Sequence, residues 1–243
     1  DGKKWRIVES DNKSEPSEAG NSVTKLVTQD KVIAVVGPAT SGCVAASTPI
    51  TTANKVPLIA PCATAPNITV ENGKVKEFVF RSCFIDPFQG RVMAEFADKN
   101  LKVKNVAILY DASSDYSKGW DSPKLVEIGG PEALNNTYFS SAYSAQDKEP
   151  SVQKFIAGYK AMYNKEPDVF CMQGYNAGLI LADAIKRAGT TDGTKLAAAI
   201  AATKDLSVAS GKLTYDADHN PITSAIIIEL KDGVQTFKEK ITL

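Results

Sequence analysis

Histidine, paired cysteines and excess charge are scarce in this sequence, and each scarcity argues against a class of function. His219 is the only histidine among 243 residues. It lies in a turn-rich loop, which favours a satisfied loop residue over a member of a Ser-His-Asp or Cys-His arrangement. The cysteines are widely spaced and form no C-x-x-C, which disfavours zinc and predicts small buried residues, with an occasional disulfide as the alternative. They are Cys43, Cys62, Cys83 and Cys171.

The balanced charge and the lack of long apolar runs give no sign of a nucleic-acid or membrane partner. The chain has 28 basic and 28 acidic residues and a pI near 6.8, so there is no electrostatic footprint for nucleic acid. No apolar run has the length of a membrane span. Neither G-x-S-x-G nor the Gly-Lys-Ser/Thr ending of a phosphate-binding loop occurs. These absences disfavour nucleophile hydrolases and nucleotide hydrolases, and we expect no cofactor and no metal.

The stretch from Lys31 to Pro66 is the most informative part of the chain. It contains two short apolar runs, Val32 to Val36 and Val56 to Ala60, and a loop rich in small and hydroxyl residues follows each run. Such runs are typical of parallel strands buried on both faces. Ligands of open α/β sheets bind outside the carboxyl ends of the strands, and a helix N-terminus there suits an anion. The pattern predicts a small-molecule site that holds a carboxylate.

Other segments extend the pattern in the order β-α-β-α-β, which predicts a parallel sheet with right-handed crossovers. Lys4 to Glu9 and Val103 to Tyr110 are strand candidates on either side of this region. The tail differs, because two apolar runs flank Lys231-Asp232-Gly233 and predict a β-hairpin. The fold class is therefore α/β.

Seven segments, taken together, resemble the periplasmic type I binding proteins for branched-chain amino acids, the Leu/Ile/Val receptors of ABC importers. The resemblance covers nearly the whole chain in order. The matching segments are VESDNKSEPSEAGNSVTKL (8–26), VVGPATSG (35–42), VPLIAPCATAP (56–66), VAILYDASSDYSKG (106–119), WDSPKLVEIGG (120–130), YKAMYNKEPD (159–168) and residues 174–189.

The resemblance implies two flavodoxin-like lobes, each a parallel sheet flanked by helices, that close over a ligand. It assigns residues 1–104 and 151–212 to the first lobe and residues 105–150 and 213–243 to the second. It also implies a ligand site. Thr40 and Ser41 match the positions that bind the ligand carboxylate, and either could take the central role. Cys62 and Thr64, with Ala63 between them, match the carbonyl and threonine of the next loop, and Tyr116 matches an aromatic cover from the second lobe.

Two departures from the family pattern concern missing pieces. The family has one further strand and helix before Lys4. In addition, Gly119 runs directly into Trp120, where the family continues with more strands of the second lobe. We expect a missing segment between residues 119 and 120, and the second lobe to be incomplete in this sequence. Either the protein contains further residues here that the 243-residue sequence omits, or the protein itself is shortened. We favour omission, because a lobe without its interior strands would expose sheet edges and apolar faces.

The resemblance implies a monomeric, non-enzymatic solute receptor that binds a small amino acid, most simply a branched-chain aliphatic one, and is recognised by the membrane permease of an ABC importer. Its location would be periplasmic or extracellular, with a lipid anchor in a single-membrane bacterium; any export signal is absent or already removed. Two alternatives stay open. One is a ligand-binding sensor domain of the same fold, and the other is a cysteine-dependent enzyme using Cys43 near a helix N-terminus.

Overall fold

A computed structural model describes residues 4–108 and 129–242 of the chain. Its helices are α1 (Pro16–Thr28), α2 (Ser41–Ala53), α3 (Asp86–Glu95), α4 (Pro150–Tyr163), α5 (Val169–Ala188) and α6 (Gly193–Ala201). A 3₁₀ turn spans Pro66–Ile68 and a π-helical segment spans Phe96–Leu101. The strands are β1 (Val35–Val36), β2 (Leu58–Ala60), β3 (Val70–Glu71), β4 (Lys74–Val75), β5 (Val79–Arg81), β6 (Thr137–Ser141), β7 (Leu206–Val208), β8 (Gly211–Tyr215), β9 (Pro221–Ile222), β10 (Ala225–Lys231) and β11 (Val234–Ile241).

The first sheet is parallel, as predicted, and has the order β1-β2-β5. Val35 pairs with Leu58, and Leu58 pairs with Val79. Every residue of β2 and β5 is buried, which explains why these strands show continuous apolar runs without alternation. Helices α1 and α2 pack against each other, and an apolar cluster joins them to β1 and β2. The sheet therefore brings three successive strand-end loops to one edge.

The second sheet has the order β11-β10-β6, and its described strands are antiparallel. β10 and β11 form the predicted hairpin around Asp232 and Gly233, both of which have positive φ, at 50° and 78°. A two-residue turn with positive φ at both positions matches the right-handed twist of the strands it joins. Helix α3, through Val92, and the π-helical segment that follows it, through Phe96, pack on this sheet against Ile227.

Two predicted strands are wrong. Residues 4–9 and residues 103–108 form no strand, and several of their apolar side chains are exposed, with Ile7 80% and Ile108 81% exposed. Residues 109 and 110 of the second prediction lie outside the described residues. A strand needs a neighbour to satisfy its backbone groups, and within the described residues neither segment is paired with another strand.

The main core lies on the opposite side of the first sheet from α1 and α2. Helices α5 and α6 cover Ile59 and Phe80. β7 closes the cluster with Val208, and β8 closes it with Leu213 and Tyr215. α5 begins at Val169, where Asp168 caps it by accepting from the Cys171 N–H. It ends before Gly189, whose φ is 61°. Among the described helices, none combines the length and apolar character that crossing a bilayer requires.

Candidate functional site

The loops after β1 and β2 lie side by side at the carboxyl edge of the first sheet, as the sequence predicts. Pairing of β1 with β2 places them there, and the Gly37 N–H donates to the Ile59 carbonyl at 2.9 Å. The Ser41 hydroxyl then links the loops directly, because its Oγ accepts from the Ala65 N–H at 3.3 Å. Two hydroxyl-bearing loops therefore form one continuous wall.

The N-terminus of α2 supplies backbone donors to this wall. The helix starts at Ser41, and Thr40 is its N-cap residue, yet no side chain caps it and its first turn contains no acidic residue. The first N–H groups of a helix have no carbonyl partner within the helix and carry the positive end of its dipole. This terminus therefore favours an anion at Ser41, Gly42 and Cys43.

The hydroxyls of Thr40 and Thr64 are available to a ligand. Both residues are half-buried, and neither hydroxyl makes a hydrogen bond within the described residues. By contrast, Ser47 and Thr48 in α2 donate to carbonyls one turn earlier, at 2.8 Å each. Ser41 differs again, since it is only 6% exposed and already accepts the Ala65 N–H. Its hydroxyl proton remains available for donation, because a serine oxygen both accepts and donates.

In the loop from Pro61 to Ala65, some peptide groups make hydrogen bonds that fix the loop, and others have no hydrogen-bond partner within the described residues. The Ala63 carbonyl accepts from Arg81 and Cys83, the Thr64 carbonyl accepts the Asp86 N–H at 3.0 Å, and the Ala65 carbonyl accepts from Arg81. In the part of the chain that the structure describes, no hydrogen bond engages the Thr64 N–H, the Ala63 N–H or the Cys62 carbonyl. The loop thus offers two donors and one acceptor, which is what a zwitterion requires.

Arg81, at the end of β5, supports this loop from behind and was not predicted. Its side chain is 0% exposed. It donates through Nη1 to the Ala63 carbonyl at 2.7 Å and through Nη2 to the Ala65 carbonyl at 2.9 Å. Burial lowers the pKa of Arg81 below its ordinary value. The sequence signal is an arginine inside the apolar run Phe78-Val79-Phe80-Arg81-Ser82-Cys83-Phe84, where a buried strand end is expected.

The two cysteines of this region are buried and unreactive in character. Burial raises the pKa of Cys83 from 9.0 to about 12. Burial also raises the pKa of Cys62, and the nearby Cys83 and Asp168 raise it further. Both thiols are therefore protonated at neutral pH. All four cysteines are free, and Cys43, the candidate nucleophile, is 1% exposed. A nucleophilic cysteine needs access to its substrate, so the geometry disfavours the cysteine-dependent enzyme.

The first turns of α5 close one side of the same edge and were also missed. The Ser82 hydroxyl, which follows β5, lies 3.1 Å from the Gln173 carbonyl and 3.4 Å from the Pro61 carbonyl. Gln173 is 5% exposed, and its side-chain oxygen has no hydrogen-bond partner within the described residues. Helical spacing predicts such a position to be core, so sequence alone gave no sign of an unpartnered amide here.

The remaining predicted residues have different outcomes. Tyr116 lies outside the described residues, so its predicted position over the ligand stays a prediction. His219 has the predicted role of a satisfied loop residue, since its Nδ1 lies 3.0 Å from the Val79 carbonyl and its ring stacks on Phe80 at 4.3 Å. The structure brings Thr40, Ser41, Cys62, Ala63 and Thr64 to one edge of the sheet.

The sequence profile of the periplasmic binding protein family matches this chain over residues 1–124 and 116–235. Leu/Ile/Val-binding protein homolog 3 of Brucella melitensis is 27% identical, over 88% of this chain and 76% of its own length. Other curated relatives match over only about a third of their length.

Solved structures have the same fold. A leucine-binding protein from Thermotoga maritima superposes with a TM-score of 0.83 and 30% identity, covering 96% of this chain and 86% of that one. A branched-chain amino acid transporter substrate-binding protein from Streptococcus pneumoniae, in complex with isoleucine, gives a TM-score of 0.85 and 27% identity, covering 100% and 88%. The parallel sheet, the uncapped helix beside it and these matches agree: the chain belongs to the type I periplasmic binding proteins, in the family that includes the Leu/Ile/Val-binding proteins.

Proposed function

We propose that this chain binds the zwitterionic head of a small amino acid at the edge formed by the α2 N-terminus and the Pro61–Ala65 loop. The open backbone groups of that loop are the single observation that carries the proposal. The Thr64 N–H and the hydroxyls of Thr40, Ser41 and Thr64 would donate to the ligand carboxylate. The Cys62 carbonyl would accept from the ligand ammonium. Tyr116, from the second lobe, would cover the ligand.

The strength of such a site is adequate for a transport receptor. A hydrogen bond to a charged group contributes about 1.5–3 kcal/mol, and burial of an aliphatic side chain adds about 1.5–3 kcal/mol. Micromolar affinity requires about 8 kcal/mol. Three or four of these bonds and one buried side chain contribute about 6–15 kcal/mol together. Most of this range exceeds the micromolar figure, and the surplus offsets part of the association cost.

The ligand side chain would be branched and aliphatic. This part of the proposal is supported by relatives whose names state Leu/Ile/Val binding and by a neighbour solved with isoleucine. The receptor would work outside the cytoplasm, in the periplasm or anchored by lipid to the outer face of a single membrane. It would act as a monomer and present its closed, liganded form to the permease of an ABC importer. No catalytic step is needed for this role.

The lobe assignment remains part of this proposal. Residues 1–104 and 151–212 would form the first lobe, residues 105–150 and 213–243 the second, and a segment would be missing between 119 and 120. Two observations support the missing segment. The alignment with the Brucella relative runs over 288 positions although it covers 88% of a 243-residue chain. The two stretches matched by the family profile both include residues 116–124, on either side of the proposed join.

Isothermal titration calorimetry of the full-length protein tests the function. Leucine, isoleucine and valine should each release or absorb heat with one site per chain and a micromolar dissociation constant. Acetate and an aliphatic amine, each carrying half of the zwitterion, serve as controls and should bind far more weakly. Absence of binding for all three amino acids, and for a wider set of small amino acids in a thermal-shift screen, would refute the proposal. A sensor role would leave binding intact and would be distinguished by a failure to interact with any permease.

A further inference from the structure

Arg81 is a fully buried cation for which the structure provides no anionic contact. Within the described residues, no carboxylate lies within 4.0 Å of the guanidinium. Its neutral acceptors are the Ala63 and Ala65 carbonyls and the Thr69 hydroxyl, at 2.7, 2.9 and 3.4 Å. An arginine stays protonated in proteins, and burial of an unpaired charge is costly. Such an arrangement points to a function that uses the charge.

The nearest acidic groups do not replace a counter-ion. Asp86 and Asp216 both act on Arg81 at longer range and favour its charged form. Both carboxylates are on exposed residues, where water screens their effect. The buried face around the guanidinium therefore remains positive.

The contact with Ala63 connects that charge to the ligand loop. Nη1 of Arg81 and the Cys83 thiol both donate to the Ala63 carbonyl, at 2.7 and 3.3 Å. In a trans peptide the carbonyl and the following N–H point in opposite directions. The interaction that draws the Ala63 carbonyl into the interior therefore turns the Thr64 N–H away from the interior. That N–H has no partner within the described residues.

The same contact also strengthens the donor. Hydrogen bonds in a chain polarise one another in a low-dielectric interior. A cation on the Ala63 carbonyl withdraws electron density from the peptide and makes the Thr64 N–H a better donor to an anion. The second contact, from Nη2 to the Ala65 carbonyl, fixes the far end of the loop beside Ser41.

We propose that Arg81 is a positioning residue that makes this site select a carboxylate, by holding and polarising the Ala63–Thr64 peptide. The inference rests on the proposed function and deepens it. Arg81 does not touch the ligand in this proposal. Its buried charge is balanced, through one peptide group, by the carboxylate of the bound amino acid.

Binding selectivity tests the proposal. Leucine affinity is measured by calorimetry and leucinamide affinity by its displacement of leucine, for the wild-type protein and for Arg81→Gln and Arg81→Lys. Arg81→Gln should weaken leucine binding at least tenfold and leucinamide binding less than threefold. Arg81→Lys keeps the charge but cannot hold both carbonyls. Its preference for leucine over leucinamide should therefore lie between those of the wild-type protein and Arg81→Gln. An equal loss for both probes, or an unchanged preference in a folded variant, would overturn the proposal.

Tyr215→Phe is the matched structural control. The Tyr215 hydroxyl donates to the main-chain carbonyl of Arg81 at 2.8 Å, deep in the same core, and does not contact the guanidinium. Its removal should lower the melting temperature and leave the leucine-to-leucinamide preference unchanged. A control variant that loses the preference to the same extent would show that Arg81 acts only through stability.

A second measurement separates this inference from the proposed function. In the ligand-free protein, the Thr64 amide proton should move upfield in the ¹H–¹⁵N spectrum of Arg81→Gln and stay in place in Tyr215→Phe. A wild-type protein that binds no amino acid would refute the proposed function, and the Thr64 resonance would still decide the role of Arg81. An unmoved resonance in Arg81→Gln would overturn that role.

Discussion

At the residue scale, the Ser41 hydroxyl links the two loops, and in the proposed function it also donates to the ligand carboxylate. Its oxygen accepts the Ala65 N–H, and its proton is left to donate. A side chain that is almost fully buried keeps few rotamers, so little entropy is lost when a ligand binds to it. We therefore propose Ser41, rather than the more exposed Thr40, as the central hydroxyl of the ligand site.

Ser41→Ala should weaken amino-acid binding by about tenfold or more. The loss of one hydrogen bond to a charged group costs about 1.5–3 kcal/mol, and about 1.4 kcal/mol corresponds to a factor of ten. Ser47→Ala is the control, since Ser47 is buried in the same helix and its hydroxyl donates to the Cys43 carbonyl. Calorimetry that finds equal affinities for both variants would contradict a binding role for Ser41.

The buried acids Cys83 and Tyr215 predict a loss of stability at alkaline pH. Burial raises the pKa of Cys83 from 9.0 to about 12 and raises the pKa of Tyr215 from its ordinary 10. The unfolded chain releases these protons at lower pH than the folded chain does. The stability is therefore fully present below about pH 9 and decreases as the pH rises towards 12.

Denaturant unfolding between pH 8 and pH 11 measures this dependence. Tyr215→Phe and Cys83→Ala should each make the decline less steep, because each removes one proton that the fold retains. Alkylation followed by peptide mapping gives an independent check, and Cys62 and Cys83 should react only after unfolding. Native labelling of Cys83 at pH 8 would contradict its burial.

At the scale of elements, helix α5 contains a matched pair of glycines with opposite expected effects. A Cβ at Gly178, inside the helix, would meet no atom within 4 Å, whereas Gly189 ends the helix with a φ of 61°. Gly178→Ala should stabilise the protein by about 0.5–1 kcal/mol. Gly189→Ala should destabilise it by about 1–2 kcal/mol, because left-handed backbone crowds a Cβ. Thermal unfolding measures both, and the same sign for both would contradict the assignment.

The sequence was most informative where an element's own residues decide its conformation. The runs before Gly37 and Pro61 are apolar on both faces and end in loop residues, so β1, β2 and their adjacent loops could be predicted. The hairpin at Asp232 and Gly233 was predictable for the same reason, since its turn chemistry is local.

Prediction from the sequence failed where the conformation or burial of a segment depends on residues far away in the chain. Lys4 to Glu9 has the composition of a strand, yet strand formation depends on a neighbour that the sequence of the segment does not specify. The burial of Arg81 likewise depends on distant residues. Its charge predicts exposure, and only the tertiary placement of the Ala63 and Ala65 carbonyls makes its burial possible.

At the scale of the whole molecule, mass spectrometry tests the proposed join at residues 119 and 120. A chain of these 243 residues has a mass of 26.0 kDa. We expect the protein isolated from its native source to be clearly heavier, because the missing segment would complete the second lobe. An intact mass of 26.0 kDa would show that the chain is contiguous, and amino-acid binding should then be weak or absent.

The outer side of β1 has a consequence for how the protein behaves in concentrated solution. β1 ends the row of strands in the first sheet, and no described strand covers its outer side. Val36 in this strand is 44% exposed, and Trp5 and Ile7, in the unpaired segment of residues 4–9, are 55% and 80% exposed. An uncovered strand can pair with a second chain, so molecules that are monomeric in dilute solution should pair reversibly through β1 when they are crowded, away from the ligand loops.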